Sequence, residues 1–411
     1  MRPYDNKKVL IFLGGNNFLE GLFDTNNIKF IRNFFDLKLS NFSHVLMTII
    51  TPRRLSSEQQ KVLSAREEQL KKIAYSNMAT IDFCHIYGRT PQSIINASKE
   101  IAKKTKFFQK RYIWAQNYFN CILGVLLKNK LPDTYLHFEL LGLVPEEELF
   151  YSESTPMSRV IKFIVLRIIG RIDLYFSDSI SVVSNQFKRY IISKYRLASV
   201  SIDVTPCLYD EKMFFNDPEA RVRFRRKYDI SDQQKLILYS GMLQKWQKPD
   251  MLFAFIKQLQ KQDVNHELRF ILMTYDQKRA RQYRSKYTIK DLIIDSGIGD
   301  KLNGVYNAAD IGIACRSSDM VSKVSSPVKI PEYLATCNSI ILLESNGDFG
   351  IGLKTKNYAL VKKNYKDFLN TSIREVNGLK KPNDADLNNI YDQYCLQGNL
   401  SVLKKIFAKQ K

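Results

Sequence analysis

Short apolar runs alternate along almost the whole chain with longer stretches in which apolar residues recur at helical spacing. The runs predict β-strands, in chain order KVLIFLGG, HVLMTIIT, MATIDFCHIYG, TYLHFELLG, SISVVS, ASVSIDVTPC, KLILYSG, LRFILMTY, DIGIACR and NSIILLES. Two of the stretches between them, SSEQQKVLSAREEQLKKIA and PQSIINASKEIAKKT, predict helices. Such alternation is typical of parallel sheets that are covered by helices on both faces.

The chain has 411 residues, of which 45% are hydrophobic, and this length favours two domains over one. We therefore predict an α/β fold with two Rossmann-like domains that face each other across a cleft. The first domain is expected at residues 1–200, the second at 201–380, and a helical tail at 381–411. Ligands of such sheets bind beyond the carboxyl ends of the strands, so the loops at these ends are the places to search for chemistry.

The chain is strongly basic, with 63 Lys and Arg against 41 Asp and Glu and a formal net charge of +22. This charge attracts phosphate, in nucleic acid, anionic lipid or phosphorylated ligands, and does not decide among them. The 6 cysteines are scattered without a C-x-x-C pair, which indicates reduced thiols in a cytosolic protein. Only 4 histidines occur, without the spacing of zinc ligands, so we expect no metal site.

Two apolar segments bear on the relation to membranes. MRPYDNKKVLIFLGG does not have the pattern of a signal peptide, because its apolar part is short and runs into a glycine–asparagine turn. No uninterrupted apolar run of about 18 residues occurs, so we predict no transmembrane helix. The segment VIKFIVLRIIGRIDLYF, at 160–176, is interrupted by charges and predicts an amphipathic helix with an apolar face.

The stretch SSPVKIPEYLATCNSIILL places a cation and an anion close together after a serine-rich loop. Ser326 is a favourable N-cap and Pro327 suits the first position of a helix. The N–H groups of Val328 and Lys329 would then form an anion site, and Glu332 could accept hydrogen bonds from the paired hydroxyls of a sugar.

Two features weigh against this interpretation of the stretch. Pro331 lacks an N–H, so the helix must be irregular there or begin later. The alternative is an ordinary helix start with a solvated pair formed by Lys329 and Glu332.

A second candidate is LILYSGMLQKWQKPD, where a predicted buried strand ends at Ser240 and Gly241. Gly241 permits close approach of the backbone, and Lys245 and Lys248 could neutralise a diphosphate. The spacing of a P-loop is absent. The alternative is a basic surface loop.

A third candidate is YLHFELLGLVPEEELF, where His137 and Glu139 lie on one face at the end of a predicted strand. Such groups could orient or deprotonate an acceptor hydroxyl. The alternative is a buried histidine with satisfied hydrogen bonds followed by an acidic helix N-terminus.

The order of these segments resembles the retaining glycosyltransferases of family four, which have the GT-B fold, and in particular those of bacterial surface-polysaccharide synthesis. The resemblance covers roughly residues 130–345. It is carried by HFELLGLVPEE, DSISVVSNQFKRYI, TPCLYDEKMF, YSGMLQKWQK, YNAADIGI and SSPVKIPEYLATCNSII. The family's Ser-Pro-x-Lys-x-x-Glu-Tyr-Leu-Ala is matched by Ser326, Pro327, Lys329, Glu332, Tyr333, Leu334 and Ala335.

The resemblance implies that the C-terminal domain binds a nucleotide-sugar donor, UDP- or GDP-linked, without a metal or other cofactor. Glu332 would hold the ribose, and the backbone from Ser325 to Lys329, together with Gly241, would meet the diphosphate. Lys245 or Lys248 would neutralise the leaving group.

The resemblance also places the acceptor on the N-terminal domain. GGNNFLEG loosely resembles the family's glycine-rich acceptor loop and implies acceptor contacts by Gly14, Gly15 and Asn16. The sequence departs from the family at Val324, where relatives have a glutamate, and at Glu139, where many relatives have an aspartate.

The function that follows is transfer of a sugar to a lipid-linked or polysaccharide acceptor by a cytoplasmic enzyme at the inner face of the plasma membrane. The basic charge and the segment 160–176 suit an anionic membrane surface. The alternatives are a sugar-nucleotide epimerase of the same fold, an inactive GT-B scaffold, and a nucleic-acid-binding protein. The last lacks an RRM, helix-turn-helix or zinc-finger signature, so no nucleic-acid partner is expected.

Overall fold

The computed structural model describes residues 7–14, 18–19, 23–88, 90–197, 201–297 and 299–408. The chain divides into two compact units. Unit 1 consists of Met1–Val182, Ile191–Thr205 and Leu400–Lys411. Unit 2 consists of Val183–Tyr190 and Pro206–Asn399. The segment 381–411, predicted as one tail, is therefore shared between the units.

Unit 1 is built on a parallel sheet, which has seven strands among the described residues. They are β1 (Lys8–Leu13), β2 (His44–Thr51), β3 (Thr80–Tyr87), β4 (Lys110–Gln116), β5 (Thr134–Leu140), β6 (Ser179–Val182) and β7 (Ile202–Val204). Their order is β3-β2-β1-β4-β5-β6-β7, so the direction in which strands are added reverses between β1 and β4.

The helices between these strands begin where the sequence supplies caps. They are α1 (Lys29–Asp36), α2 (Ser57–Ser76), α3 (Pro91–Thr105), α4 (Asn117–Lys130), α5 (Val144–Tyr151) and α6 (Pro156–Phe176), followed by α7 (Asn185–Tyr195), which runs across a division between the units. Ser56 and Thr90 cap α2 and α3 with reciprocal side-chain bonds, an arrangement that satisfies N–H groups without partners in the first turn. Both predicted helices are confirmed.

Unit 2 is a second parallel sheet, with six strands among the described residues, in the order β10-β9-β8-β11-β12-β13. The strands are β8 (Lys235–Ser240), β9 (Leu268–Met273), β10 (Leu292–Asp295), β11 (Ile311–Ala314), β12 (Ser339–Leu343) and β13 (Ala359–Lys362). The helices are α8 (Pro218–Lys227), α9 (Pro249–Gln262), α10 (Gln277–Lys286), α11 (Asp300–Ala308), α12 (Met320–Lys323), α13 (Lys329–Ala335), α14 (Gly347–Gly352), α15 (Tyr365–Leu369), α16 (Ile373–Gly378) and α17 (Asp384–Tyr394). Here the order reverses between β8 and β11.

The last helix, α18 (Leu400–Ala408), belongs to unit 1. Its residues Ile406 and Phe407 are buried, and the Phe407 ring lies 5.2 Å from that of Phe34 and 4.8 Å from that of Trp114. Burying such aromatic side chains contributes roughly 1.5–3 kcal/mol each, which holds the end of the chain against the first sheet.

Helix α6 confirms the predicted amphipathic helix and carries an unusual surface. Its inner side is anchored by the buried residues Gly170, Asp173 and Leu174. Its outer side exposes large apolar residues, namely Met157, Val160, Ile161, Ile164, Val165, Ile168, Tyr175 and Phe176. No helix in the described part of the chain is long and apolar enough to cross a membrane.

Candidate functional site

Both sheets offer the place where open parallel sheets bind ligands. That place is the crevice outside the carboxyl ends of the two strands between which the strand order reverses. In unit 2 these strands are β8 and β11, and in unit 1 they are β1 and β4. Most of the residues singled out in the sequence lie at one of these two positions.

In unit 2, Glu332 lies in α13 and is tied to the end of β8 by two buried tyrosines. Its Oε2 accepts a hydrogen bond of 3.1 Å from the hydroxyl of Tyr306. The rings of Tyr306 and Tyr333 are 4.9 Å apart, and the Tyr333 hydroxyl accepts a bond of 2.8 Å from the Ser240 N–H. Glu332 itself is partly exposed, so its carboxylate is held in place and still accessible.

The helix start before Glu332 differs from the prediction. α13 begins at Lys329, and the residue before it, Val328, makes no side-chain cap. Ser326 is not the N-cap, because its Oγ instead accepts a bond of 3.1 Å from the Cys207 N–H. Pro331 then falls in the first turn, where a missing N–H costs little, so the expectation that the helix begins later is correct.

The side chain of Lys329 points back towards the loop after β8. Its Nζ lies 4.3 Å from the centre of the Tyr239 ring and 3.4 Å from Oε1 of Gln247. Gly241 has a φ of +134°, and a Cβ there would lie 3.0 Å from this Nζ. Burial lowers the pKa of Lys329 to about 8.

Two neighbouring residues were not among the predicted site residues. Arg316 follows β11, and its Nη1 donates a bond of 2.9 Å to the Oγ of Ser325. Tyr306 positions the Glu332 carboxylate. Arg316 could have been proposed from the sequence, because it directly follows a predicted strand. Tyr306 could not, because its contact with Glu332 depends on the packing of α11 against α13.

The two predicted lysines of the loop after β8 are exposed. Lys245 begins a short 3-10 turn, and Lys248 ends it with a φ of 49°. The turn is anchored by a bond of 2.8 Å from the Ser317 N–H to the Trp246 carbonyl. The structure therefore places the loop at the end of β8 with both lysine side chains on its outer side.

Val324, the position at which the sequence departs from the family that it resembles, is a core residue. Its side chain is buried, and its carbonyl accepts a bond of 2.7 Å from the Ser184 hydroxyl. A carboxylate in this position would have to be desolvated, which is costly without a partner.

In unit 1, Glu139 is the last residue but one of β5 and pairs with Gln116, the last residue of β4. Its Oε2 accepts bonds of 2.7 Å from Nε1 of Trp114 and 2.8 Å from Nε2 of Gln116. Burial raises the pKa of Glu139, and the two donated bonds oppose that rise. A carboxyl group held in this way can orient a hydroxyl or exchange a proton with it.

His137 is buried inside unit 1, so its ring is not exposed for contact with a substrate. It is fully buried, and its ring nitrogens lie 2.8 Å from the Ser179 Oγ and 2.9 Å from the Ser181 Oγ. Its ring packs 4.2 Å from that of Trp114, the residue that donates to Glu139. This geometry favours a positioning role through Trp114, and a catalytic role for His137 stays a prediction.

Gly14 directly follows β1, next to buried amide side chains. Its carbonyl accepts a bond of 2.8 Å from Nδ2 of Asn120. A Cβ at Gly14 would lie 2.6 Å from Nδ2 of Asn27. Gly15 and Asn16 lie outside the described residues.

Several of these amides have polar atoms without hydrogen-bond partners. They are both amide atoms of Asn27, Oδ1 of Asn120 and Oε1 of Gln116. Buried polar atoms without partners are uncommon, because leaving each one unpaired costs about 1–3 kcal/mol. The carboxyl ends of β1 and β4 thus carry hydrogen-bonding capacity that the described protein groups do not use.

Comparisons with known proteins support the fold. No protein-family model matches the sequence, and no curated protein matches it. Among solved structures, a glycosyltransferase from Rickettsia africae is 13% identical, with a TM-score of 0.69 and 99% of each chain covered. Sucrose-phosphate synthase from Thermosynechococcus elongatus is 12% identical, with a TM-score of 0.68, and covers 98% of this chain and 99% of its own.

A third similar structure is that of Anabaena HepE in complex with UDP-glucose. It is 10% identical, with a TM-score of 0.65, and covers 98% of this chain and 99% of its own. At such identities the likeness shows the fold, and the predicted α/β fold with two Rossmann-like domains, GT-B, is confirmed.

Proposed function

We propose that this chain is a glycosyltransferase that moves a sugar from a UDP- or GDP-linked donor to a lipid-linked or polysaccharide acceptor. The reaction proceeds with retention at the anomeric carbon and without a metal ion. Unit 2 binds the donor, and unit 1 binds the acceptor.

The observation that carries this proposal is the position of Glu332. Its carboxylate lies at the reversal of strand order in unit 2, oriented by the Tyr306 hydroxyl at 3.1 Å. A carboxylate accepts from two adjacent hydroxyls at once, which suits the 2′ and 3′ hydroxyls of a ribose. Its resemblance to the family glutamate, and the complex of the similar HepE structure with UDP-glucose, support the same assignment.

The acceptor side is supported by the polar groups of unit 1. The unpaired amide atoms of Asn27, Gln116 and Asn120 are uncharged. The pKa of Glu139 is raised by burial. Such groups recognise the hydroxyls of a neutral sugar better than a phosphate, which a carboxylate would repel. In the retaining reaction the departing phosphate takes the acceptor's proton, and Glu139 orients the acceptor hydroxyl.

The lipid partner is supported by α6. Its exposed apolar stripe includes Ile164 and Ile168, and Arg171 is exposed beside it. A helix of this kind lies in the plane of a membrane interface, with its cations near anionic headgroups. We propose that the protein binds the cytoplasmic face of the plasma membrane through α6.

A donor screen tests the function. The purified chain is incubated with UDP- and GDP-sugars, with a lipid-linked sugar, and with EDTA, and free UDP or GDP and glycosylated product are measured. We expect release of the nucleoside diphosphate with product formation that EDTA does not reduce, and a product whose anomeric configuration equals that of the donor.

The alternatives give different results in the same screen. Release of an altered donor sugar without an acceptor would indicate an epimerase. Donor binding without turnover would indicate an inactive scaffold. Absence of donor binding, with a salt-sensitive gel shift of nucleic acid, would contradict the proposal and support the nucleic-acid alternative.

A further inference from the structure

Lys329 is a partly buried cation that forms no salt bridge with the described residues, although the carboxylate of Glu332 in the same helix is near enough to raise its pKa against the effect of burial. Its Nζ contacts an amide oxygen, of Gln247, and the face of an aromatic ring, of Tyr239. Among the described residues of unit 2, the ion pairs do not involve Lys329. Shielding a cation from water without a salt-bridge partner is unfavourable, and an anionic ligand beside Lys329 would offset that cost.

A second cation lies beside this one. Arg316 follows β11, the strand next to β8 in the sheet, and its Nη1 is held by the Oγ of Ser325 at 2.9 Å. The Ser325 hydroxyl in turn donates a bond of 2.7 Å to the Ser322 carbonyl. This bond orients the Oγ of Ser325 as an acceptor for the guanidinium. The charge on Arg316 contributes to the lowered pKa of Lys329, so the two cations lie within electrostatic reach and repel each other.

Gly241 makes room for this arrangement. Its φ of +134° is a conformation that side-chain-bearing residues rarely adopt, and an added Cβ would lie 3.0 Å from the ammonium of Lys329. The backbone at the end of β8 can therefore approach a ligand that the ammonium also touches.

The loop lysines do not share these features. Lys245 and Lys248 are exposed, so water screens their charges and reduces what an ion pair with them would contribute. Water already solvates the charges of Lys245 and Lys248 when no ligand is bound. The ammonium of Lys329 is partly shielded from water, so an anionic ligand would stabilise it more.

We propose that Lys329 and Arg316, rather than Lys245 and Lys248, bind the diphosphate of the donor and stabilise it as it departs. This assignment rests on the proposed function. The guanidinium suits two phosphate oxygens at once, and the ammonium acts as a point charge.

The charges act on the bond that breaks in the transfer. The bond from the anomeric carbon to the β-phosphate oxygen breaks, and its electron pair stays on that oxygen. A bond forms between the anomeric carbon and the acceptor oxygen, whose proton passes to the departing phosphate. The negative charge that develops on the phosphate is stabilised by cations already in place.

Calorimetry with UDP, GDP and the nucleosides uridine and guanosine tests the assignment. The variants are Lys329→Gln and Arg316→Gln, with Lys245→Gln and Lys248→Gln as matched controls, and thermal unfolding checks that each is folded. We expect each of the first two to weaken binding of the preferred diphosphate at least 10-fold and to leave nucleoside binding unchanged. The two controls should stay within about 2-fold of the wild type.

The outcomes separate this assignment from the proposed function. Wild-type affinity for the diphosphate in both Lys329→Gln and Arg316→Gln would overturn the assignment alone, as would a loss confined to the two controls. A wild-type protein that binds neither diphosphate would overturn the proposed function and this assignment with it. If Arg316→Gln does not fold, Arg316→Lys replaces it, because lysine keeps the charge but cannot bind two phosphate oxygens at once as a guanidinium does. Arg316→Lys should then retain part of the affinity that Lys329→Gln loses.

Discussion

Replacing Asp173 by Asn should change how the stability of unit 1 depends on pH. Asp173 is fully buried on the inner side of α6, where a hydrogen bond with the thiol of Cys121 opposes the effect of burial on its pKa without cancelling it. Burial raises its pKa from 3.8 to about 9. The folded chain therefore keeps this proton over a pH range in which the unfolded chain has lost it.

The sign and size of the effect follow from proton linkage. Between pH 4 and 9 the folded state binds one proton more at this site, so the free energy of unfolding falls as pH rises, by about 1.4 kcal/mol per pH unit. From pH 5 to 8 the loss is about 4 kcal/mol. The Asn variant cannot ionise at this site, so its free energy of unfolding relative to that of the parent should rise by this amount between pH 5 and pH 8. Any fixed cost of burying the amide does not change the slope.

The two tryptophans, one in each unit, allow unit 1 to be observed separately. In a Trp246→Phe parent, Trp114 remains as a buried reporter in unit 1. Urea unfolding followed by its fluorescence at pH 5, 6, 7 and 8 gives the free energy of unfolding of the parent and of Asp173→Asn. Curves that run parallel over this range would refute the reasoning, because they would mean that Asp173 titrates alike in both states.

Three further predictions concern the two sites and the surface. Glu332→Gln keeps an acceptor for Tyr306, so it should fold normally. It loses charged hydrogen bonds to the donor, which should weaken UDP binding by about 1.5–3 kcal/mol, or roughly 10- to 150-fold. Unchanged affinity by calorimetry would contradict this prediction. Glu139→Ala should reduce sugar transfer strongly with UDP affinity almost unchanged, and equal losses in both would place Glu139 outside the acceptor site. The double variant Ile164→Asp and Ile168→Asp should abolish co-sedimentation with anionic liposomes, which in the wild type should weaken as salt rises; binding indifferent to lipid charge, salt and variant would count against the α6 surface.

The fold was predictable from the sequence except where a strand lacks the usual boundaries. β4, between β1 and β5 in the sheet, was not among the predicted strands. It opens with Lys110 and Arg111 and runs directly into α4 without a glycine or proline, the break being made by Asn117 with a φ of +65°. β10 and β13 were missed because their residues are mostly only partly buried, whereas β6 and β11, which also have four residues each, are buried throughout and were predicted.

The candidate site was predictable as far as it depends on sequence motifs. The motif predicts the helix that carries Glu332 after a strand end, and the structure has this helix, α13, after β11. Gln116 and Asn120 could not be found, because their significance depends on the unrecognised β4. Arg316 was passed over because one arginine in a chain of net charge +22 is not distinctive, and its bond to Ser325 is visible in the structure alone.

The different charges of the two sites give a physical reason for the proposed division of labour. Unit 2 offers the cations Lys329 and Arg316 and the carboxylate of Glu332, which together match a diphosphate joined to a ribose. Unit 1 offers amides and Glu139, whose pKa is raised by burial, and these match hydroxyls and disfavour phosphate. A donor that enters unit 1 would lose the neutralisation of its diphosphate, and a neutral acceptor that enters unit 2 would leave Lys329 and Arg316 without a phosphate to neutralise. Each substrate therefore binds less favourably at the other's site for electrostatic reasons. Charge alone favours binding to the correct unit, in addition to any shape complementarity.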